Sequence, residues 1–249
     1  ESMVMAGALI NKTCESNGST LIPIDSEHNA IFQVLSKNSD TKSVKKVILT
    51  ASGGPFINHT HDNLKKVTVD EALNHPNWEM GKKISIDSAT MMNKGLEVIE
   101  ASHLFGLDIK KIEVVMHPQS IIHSFVEFID GSSLSQLGKP DMRVPIAYAL
   151  GYPNRITSGV EGISLGKLPS LEFFNPDLEK FRCLDISFRC LALGPAYCIS
   201  LNASNEIAVE AFLSGKISFI QIPELIEETV LKVKSTEVNS IEHILEIDN

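Results

Sequence analysis

Asp25-Ser26-Glu27-His28 sets two carboxylates, a hydroxyl and an imidazole at the end of the apolar run Leu21-Ile22-Pro23-Ile24. The run reads as a buried strand. If extended geometry persists to its end, alternate side chains share a face, and Asp25 and Glu27 point the same way. Two carboxylates that close raise each other's pKa unless a cation lies between them. Hard oxygen donors of this kind suit a magnesium- or manganese-type ion. The same residues also suit a helix N-cap, with Asp25 or Ser26 starting a helix through Ala30-Ile31-Phe32-Gln33. On these residues alone both readings stand.

A second polar junction runs from Ile86-Asp87-Ser88 to Met92-Asn93-Lys94-Gly95-Leu96-Glu97. Asn93 and Glu97 are four apart and share a helix face. Ser88, Asn93 and Lys94 near a helix start offer a phosphate one charge and several neutral donors. Glu97, one turn further on, is placed to reach a metal. The plain alternative is an exposed helix start with a Lys–Glu surface. In Ser52-Gly53-Gly54-Pro55-Phe56 the glycine pair can turn backbone N–H groups toward an anion, or simply make a turn. No Gly-Lys-Ser/Thr follows, so it is not a Walker loop. His75-Pro76-Asn77-Trp78-Glu79-Met80-Gly81 holds the sole tryptophan, which reads either as a lid over a ligand or as a plug at a core edge. His117 and His123 flank a turn and read as structural. His28, beside Glu27, is the better candidate to orient a ligand.

These residues need elements to position them. Val44–Thr50, Lys83–Asp87 and Ile112–Met116 read as strands, and Phe125–Ile129 with Ser133–Leu137 as a hairpin around Asp130-Gly131. Met92–Ala101 and Val144–Leu150 read as helices. Residues 152–177, with scattered Pro and Gly, read as an extended linker. Beyond them, Leu184–Ser200, Ala203–Leu213, Ile222–Val233 and Ile241–Ile247 read as helices, the second capped by Asn202 or Ser204. The expected fold is an α/β (α+β) catalytic domain with a mixed sheet, followed by a small C-terminal helical bundle.

Composition narrows the class. Of 249 residues, 43% are hydrophobic and 21% charged, as in ordinary globular proteins. A net charge of −9 without a basic stripe argues against nucleic acid and anionic membrane as partners. No apolar run reaches the length of a membrane span. Cys14, Cys183, Cys190 and Cys198 show no CxxC pair or zinc spacing, so reduced thiols in a cytoplasmic compartment are expected.

Taken in order, these motifs closely resemble the 1-deoxy-D-xylulose 5-phosphate reductoisomerases of the non-mevalonate isoprenoid pathway. His117-Pro118-Gln119-Ser120-Ile121-Ile122-His123-Ser124, Lys139-Pro140-Asp141-Met142-Arg143 and Leu201-Asn202-Ala203-Ser204-Asn205-Glu206-Ile207 extend the resemblance over nearly the whole chain. It implies Mg²⁺ or Mn²⁺ held by Asp25, Glu27 and Glu97. It implies a sugar phosphate held by Ser26, Ser52, His75, Ser88, Asn93 and Lys94, with Glu27 and Glu97 close by and Glu27, Lys94 and Glu97 as the catalytic groups. Ser52–Gly81 would be a flap closing Trp78 and Met80 over the ligand, and Glu1 and Gly81 would touch NADPH. The implied reaction converts 1-deoxy-D-xylulose 5-phosphate into 2-C-methyl-D-erythritol 4-phosphate, in a homodimer assembled through the hairpin strands.

One departure stands out: the sequence has no Gly-rich dinucleotide fingerprint. Residues 1–24 are therefore expected to be the remnant of an NADPH-binding domain, 25–151 the metal and substrate domain, 152–177 the linker and 178–249 the helical domain. As such a fragment the chain is expected to hold metal and phosphate but bind NADPH poorly, and to be inactive alone. Two other readings remain at this level: a metal-dependent sugar-phosphate isomerase or aldolase that uses no nicotinamide, and a non-catalytic sensor of a phosphorylated sugar.

Overall fold

The computed structural model describes residues 1–35 and 41–249. In chain order, helices α1 (Ser2–Asn17) and α2 (Ser26–Leu35) precede strand β1 (Val44–Ala51). Four helices follow: α3 (His61–Leu64), α4 (Val69–Leu73), α5 (Lys82–Thr90) and α6 (Met92–Phe105). Strands β2 (Ile112–Met116), β3 (Ile122–Phe128) and β4 (Ser133–Leu137) lead to α7 (Arg143–Gly151). The remaining helices are α8 (Arg182–Leu193), α9 (Pro195–Leu213), α10 (Gln221–Val230) and α11 (Ile241–Asp248). Two compact units result, neither contiguous in sequence.

One unit comprises residues 20–52 and 110–176 and is built on the sheet. Its strand order is β2-β1-β3-β4, with β1 parallel to β2 and antiparallel to β3, so the sheet is mixed. Central β1 buries Val44, Val47, Leu49 and Ala51, as a strand paired on both edges must when a helix covers one face. Helix α2 lies on β3 and β4 with Ala30, Ile31 and Leu35 buried. The β3–β4 hairpin forms where expected. Gly131 has φ +86°, and the Asp130 carboxylate accepts from the Ser132 N–H at 2.9 Å and its hydroxyl at 2.6 Å. Residues 152–177 add one short 3₁₀ turn, Leu165–Lys167, and a single bridge from Phe174 to Met116.

The other unit comprises residues 1–19, 53–109 and 177–249, and it is helical. Its core joins α5 and α6 to α8, α9 and α10 through Ile86, Met92, Ile99, Ile186, Leu201, Phe212 and Ile222. Phe219 packs edge-on against Phe56 and Phe212, at 5.1 and 5.8 Å between ring centroids. The C-terminal helices thus share one core with the helices of the second polar junction.

Four expectations are corrected here. Leu21–Ile24 is not a strand, and Leu21 and Ile24 are exposed. Pro23 has no N–H to give a ladder, and its carbonyl accepts from the Asn29 side chain at 2.8 Å. Lys83–Asp87 is not a strand but the body of α5. Ile84 is exposed while Ile86 is fully buried, and the Lys83–Asp87 ion pair, 2.8 Å long, spans one helical turn. The helix expected over Leu184–Ser200 breaks at Gly194, whose φ of +121° suits glycine, and Pro195 opens α9. Helix α9 then runs through Asn202 and Ser204. Neither is a cap: Ser204 Oγ donates back to the Ser200 carbonyl at 2.6 Å, and Asn202 donates to Glu206 at 3.1 Å.

Close packing of α6 on α8 depends on Gly95. A Cβ there would lie 2.1 Å from Ser187 Oγ and 2.7 Å from Ser187 Cβ. Gly95→Ala is therefore expected to lower stability by about 1–3 kcal/mol, read as a shifted denaturant midpoint. An unchanged midpoint would show that α8 yields freely.

Candidate active site

On the sheet unit, Asp25–Glu27 lies at a helix start, as the helix reading expects. Helix α2 begins at Ser26, and the Asn29 N–H closes its first turn on the Asp25 carbonyl at 2.8 Å. Asp25 Oδ1 accepts from the Ser26 N–H at 2.9 Å. Ser26 Oγ donates to Glu27 Oε2 in a short hydrogen bond. His28 is 1% exposed, with Nδ1 3.9 Å from Asp25 Oδ2, so it stands where an orienting imidazole should. Both acids sit at the N-terminal end of α2. Hard oxygens at this helix start, with no thiol among them, suit Mg²⁺ or Mn²⁺ better than zinc. Ser52 follows directly on the end of β1.

A second buried chain secures this helix start. Asn29 Oδ1 accepts from Gln33 Nε2 at 2.8 Å, and Gln33 Oε1 accepts from Arg155 Nη2 at 2.7 Å. The Arg155 guanidinium lies 5.1 Å over the Tyr148 ring. Neither Asn29 nor Gln33 stood out in the sequence beyond lying in a helical run. Their signal was available: two long polar side chains one turn apart on the face that carries Ala30 and Ile31 inward.

On the helical unit, Asn93, Lys94 and Glu97 come together as expected. Met91 adopts a left-handed φ of +64°, ending α5 and starting α6, so that Asn93 and Lys94 fall in the first turn of the new helix. Glu97 is 2% exposed, and each of its oxygens has a donor: Asn93 Nδ2 bonds Oε1, and Lys94 Nζ bonds Oε2. Lys94 is itself 4% exposed, so the exposed Lys–Glu surface is excluded. Ser88, half-buried, lies in the last turn of α5. Gly53 and Gly54 have φ of +84° and +61°, and a Cβ on Gly54 would meet the Ser88 carbonyl at 2.8 Å. The glycine pair is thus required for the turn to lie against Ser88.

The loop before α5 holds the remaining candidates. His75 Nδ1 accepts from the N–H groups of Asn77 and Trp78 at 3.1 and 3.0 Å, which leaves the ring hydrogen on Nε2. Trp78 and Met80 are half-buried, so Trp78 is not sealed into the core. Gly81 is exposed at the N-cap of α5, with nothing within 4 Å of where a Cβ would stand. Glu1 pairs with Lys83, whose ammonium also meets Asp87; burial raises the Asp87 pKa against the pull of Lys83. Asn205 donates to Asp87 at 2.9 Å. Asp87 and Asn205 are thus an unanticipated buried pair.

Elsewhere the structural readings hold. His117 is fully buried, its Nε2 accepts from the N–H groups of Ile121 and Ile122, and it stacks on Phe173 at 4.6 Å. Cys183, Cys190 and Cys198 are buried with thiols pushed up to about 12 by desolvation, so they stay protonated. No helix among the described residues is long and apolar enough to cross a membrane.

Two family models match the chain, a 1-deoxy-D-xylulose 5-phosphate reductoisomerase C-terminal domain over residues 21–105 and a DXP reductoisomerase C-terminal domain over residues 137–249. The chain belongs to the 1-deoxy-D-xylulose 5-phosphate reductoisomerase family. The reductoisomerase of Vesicomyosocius okutanii is 54% identical across the whole chain, and that of Trichlorobacter lovleyi 52%. The chain spans 64% and 63% of those two proteins. A solved reductoisomerase in complex with NADPH, fosmidomycin and magnesium is 49% identical and superposes with a TM-score of 0.94, over all of this chain and 65% of that one. The Zymomonas mobilis reductoisomerase in complex with NADPH is 44% identical, with a TM-score of 0.93, over 99% of this chain and 64% of that one.

Burial lowers the pKa of His75 below the ordinary histidine range. Burial therefore favours the neutral imidazole, and folding stability falls as pH drops from the ordinary histidine value of the unfolded chain through the lowered value of the folded one. Nitrogen-15 NMR is expected to show the Nε2–H tautomer and a titration midpoint below that of an exposed histidine. A midpoint at or above the exposed value would contradict this environment.

Proposed function

We propose that this chain carries the metal- and substrate-holding part of an NADPH-dependent reductoisomerase that converts 1-deoxy-D-xylulose 5-phosphate into 2-C-methyl-D-erythritol 4-phosphate. The observation that carries the reading is the buried Glu97 carboxylate held by Asn93 and Lys94, within a family whose solved members bind magnesium and NADPH. Asp25, Glu27 and Glu97 are assigned to the divalent ion. Residues 25–151 carry most of this chemistry, while Glu1 and Gly81 are the candidates to touch NADPH.

When bound, the cation supplies Lewis acidity toward the substrate's carbonyl and hydroxyl oxygens, and NADPH supplies hydride. The chain's own residues do the rest by binding and orientation. Ser26, Ser88 and Asn93 offer neutral hydrogen-bond groups to hydroxyls and phosphate. Ser52 adds a hydroxyl at the end of β1, and His75 adds an uncharged Nε2–H donor. Lys94 adds a positive charge in a desolvated setting, where charge is worth more than in water. Glu97 holds the Lys94 ammonium in one orientation, so the charge arrives pre-aimed. Trp78 and Met80, in the segment 52–81, exclude water when that segment closes over the ligand. A cytoplasmic homodimer using the β3–β4 hairpin belongs to the same reading.

The test is NADPH oxidation by the full-length protein with deoxyxylulose phosphate, with and without Mn²⁺. Metal-dependent oxidation is expected, and its absence sinks the reading. Glu27→Gln is expected to lower kcat by at least about a hundredfold and to weaken Mn²⁺ uptake; a variant with ordinary rate and metal dependence would remove Glu27 from the site. Trp78→Ala is expected to raise KM about tenfold with Mn²⁺ affinity unchanged, since it touches substrate and not metal. Equal losses of both would make Trp78 structural.

A further inference from the structure

The side-chain chain behind α2 has a fixed polarity. At one end the Pro23 carbonyl can only accept, so Asn29 must turn its amide nitrogen to it and its oxygen away. That oxygen takes Gln33 Nε2, which leaves Gln33 Oε1 facing outward. At the far end Arg155 can only donate, and it meets Oε1 at 2.7 Å. Every amide orientation is therefore dictated from both ends. Asn29 and Gln33 are 1% and 9% exposed, so water does not readily replace a missing partner. Arg155 reaches in from the surface and is steadied over Tyr148.

What the chain grips is the backbone just ahead of the acids. Pro23 stands two residues before Asp25 and four before Glu27. Asn29 is tied to this segment twice, by its side chain to the Pro23 carbonyl and by its N–H to the Asp25 carbonyl. Residues 21–24 have no strand partner to fix them, so this double tie sets the angle at which the chain enters α2. We propose that Asn29 and Gln33, locked from outside by Arg155, are positioning residues that set the direction of the Asp25 and Glu27 carboxylates for metal binding. The inference rests on the metal assignment above. Outer partners of this sort commonly change metal affinity by about 10–100-fold.

Gln33→Leu keeps volume and removes both links. In the full-length protein, Mn²⁺ titration followed by electron paramagnetic resonance is expected to show affinity weakened about tenfold. Ile31→Val, which trims the fully buried core face of the same helix, is expected to leave affinity unchanged, although it too lowers stability. Arg155→Lys, which still donates, is expected to keep wild-type affinity. Amide exchange of residues 26–30, measured without metal, is expected to speed up about fivefold in Gln33→Leu and not in Ile31→Val.

Unchanged exchange in Gln33→Leu would overturn the positioning role whatever the metal does. So would unchanged Mn²⁺ affinity alongside a weakened Glu27→Gln, or equal loss of affinity in Ile31→Val, which would make the effect one of stability alone. Absence of Mn²⁺ uptake by the wild-type protein would overturn the metal assignment itself, and the exchange result would then be read separately.

Discussion

Glu97 is a carboxylate with almost no contact with water, and that constraint organises the helices around it. An ionised carboxylate so placed must have both oxygens met by donors, and a lone buried charge is far costlier than a paired one. The donors come from the same helix, Lys94 three residues before and Asn93 four before, so the solution is local. It works only if α6 starts where it does. The left-handed Met91 starts a new helix directly after α5, putting Asn93 and Lys94 in its first turn. Gly95 then lets Ser187 of α8 pack closely against α6. Removing either partner leaves the other charge buried alone, at a cost of about 3–5 kcal/mol.

The start of α2 meets a similar demand by another route. Asp25 and Glu27 are more exposed than Glu97, so desolvation is a smaller matter and direction the larger one. The Ser26 N–H donates to Asp25 and the Ser26 hydroxyl to Glu27. Asn29 and Gln33 supply a fixed approach of the backbone.

The candidate chemistry was more legible in the sequence than the elements that hold it. Asn93, Lys94 and Glu97 are legible as a cluster because i,i+3 and i,i+4 spacing brings them together on one helix. Strands β1 and β2 and the hairpin were legible because β-branched runs and Asp130-Gly131 are strong local signals. Lys83–Asp87 misled because isoleucines two apart satisfy a strand, while an i,i+4 ion pair and a glycine N-cap satisfy a helix equally well. Leu21–Ile24 misled because apolar character was taken for burial, whereas Pro23 cannot pair in a ladder. Helical spacing of apolar residues continues across Gly194-Pro195, so the pattern alone predicts one helix where the backbone makes two. The Asn29–Gln33–Arg155 chain was out of reach because Arg155 is distant in sequence and joins only after folding.

The histidines show why type alone does not assign a role. His75 and His117 each accept two backbone N–H groups at one ring nitrogen, yet they do so at opposite ends. For His117 this puts the hydrogen on Nδ1, where the Glu172 carbonyl accepts it, and the ring is fully buried against Phe173. Both nitrogens are spent on folding the turn. For His75 the same device puts the hydrogen on Nε2 in a half-buried loop next to Trp78. Desolvation keeps this ring neutral, so it can donate a hydrogen bond to an anion without a charge of its own to bury.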